Sequence, residues 1–101
     1  MDNQHRKISG YRELSQEEVD LMNRIKAKGS ELLELHAELV AHIKTQRQAC
    51  VVEEMFVDVI DPDELARLDA AEPHRWAAMG KTDIQTGIMA LVRAVAQPEG
   101  I

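Results

Sequence analysis

Met22, Ile25, Gly29, Leu32, His36, Leu39 and Ile43 recur in alternating steps of three and four residues. That spacing is the period of one face of an α-helix, and a β-strand cannot match it over three heptads. Leu21, Leu33, Leu35 and Val40 widen the stripe to a second face. A helix apolar on two sides is expected to pack on a partner helix of its own chain and on another subunit. Its start is legible too. Ser15 is followed three residues later by Glu18, the spacing of a capping box, in which the hydroxyl and the carboxylate each satisfy a backbone N–H. Leu14 and Val19 stand at the positions of a hydrophobic staple, so the helix is expected to begin near Gln16. Gly29 in a helix interior costs about 1 kcal/mol relative to Ala, and its place on the stripe predicts close approach of another backbone. His36 on the same stripe reads as a satisfied core or interface histidine.

Residues 1–14 read as an arm with a turn expected at Ser9-Gly10. Thr45 to Ile60 is ambiguous: its apolar residues fit a continued helix, while the alternation Val57-Asp58-Val59 fits a short extended piece. The expectation is a helix fading into an irregular connector. Asp61-Pro62-Asp63-Glu64 then supplies an Asp cap, Pro at the first helical position and Glu at the third, starting a short helix to about Ala71. The last helix spans Pro73 to Ala96, with Trp76, Gly80, Ile84, Gly87 or Ile88, Leu91 and Val95 as its stripe; Pro98 and Gly100 stop it. Ala77, Ala78, Gly80 and Gly87 suggest tight helix contacts. The expected fold class is all-α: one domain over residues 1–101, an antiparallel hairpin of two long helices with a short N-terminal arm, assembled as a homo-oligomer.

Composition supports the assembly. A chain of 101 residues buries roughly two thirds of its extended surface, and with only 3% aromatics its 45% hydrophobic residues give a light core. Such chains often complete the core with copies of themselves. No run of about 18 apolar residues and no apolar N-terminal region is present, so neither a membrane span nor a signal peptide is expected. The single Cys50 cannot form an internal disulfide, fits a reducing cytoplasm, and reads as a small buried hydrophobe. Net charge is −6. Between Glu53 and Glu72 eight acids face one base, Arg67, giving −7 and leaving +1 for the remainder. This acidic connector, residues 46–72, argues against a duplex-DNA binder, which needs a broad basic face. It leaves room for a small anion held by local cations.

Those cations have a suitable companion. Tyr11, the only Tyr, lies among Arg6, Lys7 and Arg12. An aromatic ring beside guanidinium and ammonium groups suits a flat anionic ligand such as a nucleotide. Gly80-Lys81-Thr82 is not a phosphate loop: Arg75 occupies the position of the required first Gly, and a helical pattern replaces the preceding strand. Lys81, Thr82 and Gln85 still offer an ammonium, a hydroxyl and an amide from nearby turns, although a solvated polar face reads the same way. On pattern alone Lys26 on the first long helix and Arg75 opening the last read as surface charges; because a hairpin places the start of one helix beside the end of the other, they would meet only loosely within a chain and more readily across subunits. His36 and His42 do not share a helix face, so zinc is not expected. No nucleophile–base pair stands out, and no EF-hand spacing exists among the acids. No catalytic residue, metal or cofactor is therefore expected. Residue patterns alone leave three readings: a nucleotide binder, a helical adaptor for a host protein, and a metal-dependent phosphodiesterase using the acids of residues 53–72.

Two stretches decide among them by resemblance. Asn3-Gln4-His5-Arg6-Lys7-Ile8, Gly10-Tyr11-Arg12-Glu13-Leu14-Ser15 and Glu17-Glu18 resemble the opening of the phage anti-CBASS cyclic-oligonucleotide sponges. Arg75-Trp76, Gly80-Lys81-Thr82-Asp83 and the run from Met89 to Pro98 resemble their closing helix. The resemblance covers residues 3–28 and 74–98, not the acidic stretch between. These sponges share a helical hairpin with the anti-Thoeris sponges. The resemblance implies a homohexamer, a trimer of dimers, which in the host cytoplasm sequesters cyclic nucleotides without cleaving them. It implies that Tyr11, Lys26 and Arg75 hold cyclic dinucleotides between two protomers. It further implies that Lys81, Thr82 and Gln85 line a separate cyclic-trinucleotide site where three subunits meet.

Overall fold

The computed structural model describes residues 12–53 and 57–99. Helix α1 spans Gln16–Gln48, strand β1 Val51–Glu53, strand β2 Val57–Val59, helix α2 Pro62–Ala71 and helix α3 Pro73–Ala96. The chain is an all-α hairpin protein with one small β-element.

The helix ends follow from local chemistry. The Glu18 N–H donates to Ser15 Oγ at 3.1 Å, and the Ser15 N–H donates to Glu18 Oε1 at 2.9 Å. This is the reciprocal capping box that the spacing requires. At α2 the Glu64 N–H donates to Asp61 Oδ1 at 3.2 Å, with Pro62 opening the helix. The last turn of α2 closes at Glu72, whose backbone is left-handed (φ 51°, ψ 50°) and whose N–H donates to Leu68 O at 3.1 Å. Glu72 O then accepts from Trp76 N–H at 3.2 Å, so α3 starts immediately after this single bent residue.

One expectation fails between α1 and α2. Instead of fading into a connector, the chain forms an antiparallel pair, with Val51 opposite Val59, Val52 opposite Asp58 and Glu53 opposite Val57. The β-branched valines favour this geometry. Cys50 anchors the pair: its carbonyl accepts from Ile60 N–H (2.8 Å) and Asp61 N–H (3.2 Å), and its side chain is buried, as expected.

The chain forms two compact units. The first takes residues up to Leu32 and from Asp83 onward; the second takes Leu33–Thr82. In the first, the early turns of α1 lie against the late turns of α3, with Gly29 buried against Ile88. An added Cβ at Gly29 would sit 2.8 Å from Ile88 Cγ1 and closer still to Cδ1. The expected close approach is real, but a side chain makes it, not a backbone. In the second unit His36 Nε2–H donates to Ala77 O at 2.8 Å, which is the satisfied role expected of it and fixes the tautomer. Ile43, Cys50, Leu68 and Ala77 form its core. Gly80 and Gly87 make no tight contact with the described residues, since among these a Cβ at either would meet nothing within 4 Å.

Candidate functional site

Of the residues proposed to hold a ligand, Tyr11 lies outside the described residues, as do Arg6 and Lys7. Arg12 is described, and it is not an available phosphate-binding cation. Its guanidinium donates to both carboxylate oxygens of Glu18 and reaches the last turn of α3, with Nη2 2.8 Å from Val95 O and Nε 3.2 Å from Ala96 O. The pairing holds the Glu18 carboxyl down at about 2, chiefly through the Arg12 hydrogen bonds and next through the Ser15 N–H. Arg12 is correspondingly pushed above its ordinary value by the same partner.

Lys26 is exposed on α1 in the first unit and forms no ion pair with any described residue. In the same unit α1 and α3 border an open groove of about 470 Å³ lined by Leu21, Ile25, Leu32, Ile88 and Leu91 together with Arg24, Lys28 and Glu31; Lys26 is not among its lining residues. Gln85 is exposed on the part of α3 in this unit.

In the second unit Arg75 lies 3.1 Å from Glu72 Oε2 and 5.9 Å from the centre of the Trp76 ring. Arg75 also borders a recess of about 270 Å³ floored by Ile43, Leu68 and Pro73. Lys81 and Thr82 are exposed, and Thr82 Oγ1 donates to Ala78 O at 3.3 Å. The spacing of three between Glu72 and Arg75 would have revealed their pairing in the sequence. No such local spacing links Arg12 to α3.

Described acids of the connector pair with nearby cations. Arg47 pairs with Asp69, and Arg67 with Glu64. Among the described residues no three His, Cys, Asp or Glu side chains are placed to share a metal ion. No helix there is long and apolar enough to cross a membrane.

With this geometry in view, comparison with known proteins decides the family. The model of the Acb2/Tad1 hairpin domain matches residues 5–96. The chain belongs to the Acb2/Tad1 hairpin family. It is also 56% identical, over 107 aligned positions, to Anti-CBASS protein 2 of Pseudomonas phage JBD67, with 99% of each chain covered. The match runs straight through the acidic connector, so that stretch lies within the shared hairpin domain.

Proposed function

We propose that this protein is a sponge that binds cyclic di- and trinucleotide messengers and keeps them from the CBASS antiphage machinery of a host. The observation that carries this reading is the 56% identity with Anti-CBASS protein 2 across 99% of both chains. Sequestration needs affinity and stoichiometry rather than a lowered barrier. The protein is therefore not an enzyme and returns its ligand intact. It acts in the host cytoplasm as a single hairpin domain.

In this reading Tyr11 stacks on a base, an interaction of roughly 1–3 kcal/mol. Lys26, with no ion-pair partner among the described residues, meets a phosphate without first giving up a carboxylate. Arg75 contacts the second charge by exchanging Glu72 for phosphate. Lys81, Thr82 and Gln85 serve the trinucleotide. A two-fold ligand suits a two-fold interface that supplies each residue twice, and a three-fold ligand suits a three-fold axis. The assembly is a homohexamer, a trimer of dimers. Exposed apolar side chains on both long helices, Leu35 and Leu39 on α1 and Met89 and Leu91 on α3, give copies something to bury.

The test is depletion. Incubation with a cyclic dinucleotide should remove it from solution, and heat denaturation should release it chemically unchanged. Recovery of a linear dinucleotide would make the protein a phosphodiesterase. Tyr11→Ala and Lys26→Ala should each weaken dinucleotide uptake at least tenfold, roughly 1.4 kcal/mol or more, while leaving trinucleotide uptake in place. Normal dinucleotide uptake by both variants would move the site elsewhere.

A further inference from the structure

We propose that Trp76 is a base-stacking residue of the dinucleotide site and works with Arg75 on a single nucleotide: the guanidinium takes the phosphate, and the indole takes the base. The inference rests on the reading that Arg75 contacts a dinucleotide phosphate.

Trp76 is the only Trp in the chain and belongs to the apolar stripe of α3. Side chains of that kind are highly buried on average, yet 60% of Trp76 is exposed. An aromatic side chain has about 150–250 Å² to bury, so an area on the order of 100 Å² is left open here. Its neighbours indicate what covers it. The Arg75 guanidinium carbon lies 5.9 Å from the centre of the indole, within cation–π reach. Arg75 Nη1 also donates to Glu72 Oε2 at 3.1 Å. Gly80, four residues beyond Trp76, is its neighbour on the helix surface. A Cβ at Gly80 would meet no described atom within 4 Å, so residue 80 adds nothing that screens the ring. All four residues belong to the second unit.

An apolar partner, a second copy included, would have to take Arg75 and Glu72 out of water along with the ring. Their side chains are 63% and 50% exposed, and desolvating charges is costly. A nucleotide meets no such obstacle. Its phosphate draws the guanidinium away from Glu72 in a charge-assisted pair. The ring face that Arg75 covered then opens, and the base of the same nucleotide covers it. Every base has a π-face, so the indole adds affinity without fixing which base is bound.

The experiment measures calorimetric affinity for 3′,3′-cyclic GMP–AMP and for cyclic triadenylate in four proteins: wild type, Trp76→Phe, Trp76→Leu and Arg75→Ala. Light scattering follows the assembly of each. Leu keeps apolar bulk and lacks the ring, so it separates stacking from simple burial. Stacking predicts that Trp76→Leu loses about tenfold or more in dinucleotide affinity, while Trp76→Phe stays within about threefold of wild type. Trinucleotide affinity and assembly mass should be unchanged in both Trp76 variants. With one Trp in the chain, the emission of the wild-type protein reports this ring. Cyclic GMP–AMP should quench it with the midpoint that calorimetry gives. Dinucleotide binding without a change in emission, wild-type affinity in Trp76→Leu, equal losses in the Phe and Leu variants, or equal loss of both ligands would each overturn the proposal. So would a smaller assembly in either Trp76 variant, the sign of a copy seated on the ring. A wild-type protein that takes up no dinucleotide, or Arg75→Ala that binds it at full strength, would instead overturn the reading of Arg75 on which the assignment stands.

Discussion

Glu18 meets two demands with one carboxylate: Oε1 caps α1 through the Ser15 N–H, and both oxygens receive Arg12. These contacts lower its pKa from an ordinary value of 4.5 to about 2. A carboxyl depressed in the folded state contributes stability that is fully present above about pH 4.5 and is lost as pH falls through about 2. Thermal unfolding followed by circular dichroism should therefore show Tm declining across that window. Glu18→Gln should flatten this part of the profile; an unchanged slope would place the acid sensitivity in other groups. Gln97 gives a second residue-level test. It follows α3 with φ 49°, and its N–H donates to Arg93 O at 2.8 Å. A side chain in that region costs about 1–2 kcal/mol, partly offset by the greater freedom of an unfolded Gly. Gln97→Gly should stabilise the protein by about 0.5 kcal/mol in urea titrations, and Gln97→Val should destabilise it.

Elements are decided by pairs of such residues. Gly29→Ala improves helix propensity by about 1 kcal/mol, yet its methyl would collide with Ile88. Overpacking typically costs about 1–3 kcal/mol, so Gly29→Ala alone should destabilise. In an Ile88→Ala background the collision is gone and the same change should stabilise. Chemical denaturation of the four proteins in this cycle checks the change of sign, and the same sign in both backgrounds would refute the contact. The starts of α1 and α2 were legible because each is set by residues three apart, Ser15 with Glu18 and Asp61 with Glu64. The β-pair was not. A short apolar run fits a helix and a strand alike, and the choice came from the Cys50 carbonyl accepting two N–H groups from beyond the second strand.

In the molecule as a whole, few side chains find an interior. Among the described residues Ile43, Cys50, Leu68 and Ala77 make up the buried apolar core, while Leu35 is 58% and Met89 72% exposed. Leu32 and Leu39 belong to the stripe that defines α1, yet they are exposed as well. The proposed hexamer supplies the missing cover. Light scattering should report about six times the 11.4 kDa chain mass. Leu35 and Met89 are largely exposed in a single chain, so Leu35→Glu and Met89→Glu should each lower the assembly mass while leaving the helical circular dichroism signal intact. Retention of full mass by both would show that copies join elsewhere.

Helix periods, caps and breaks were the sequence's to determine, because each depends on backbone groups within four residues of one another. The resemblance of the two chain ends likewise led to the family without a structure. The tertiary structure alone decided that Arg12 closes the end of α3, that Ile88 fills the space over Gly29, and that much of the apolar stripe remains exposed. Those outcomes depend on where the chain returns after dozens of residues, and no local periodicity encodes that path.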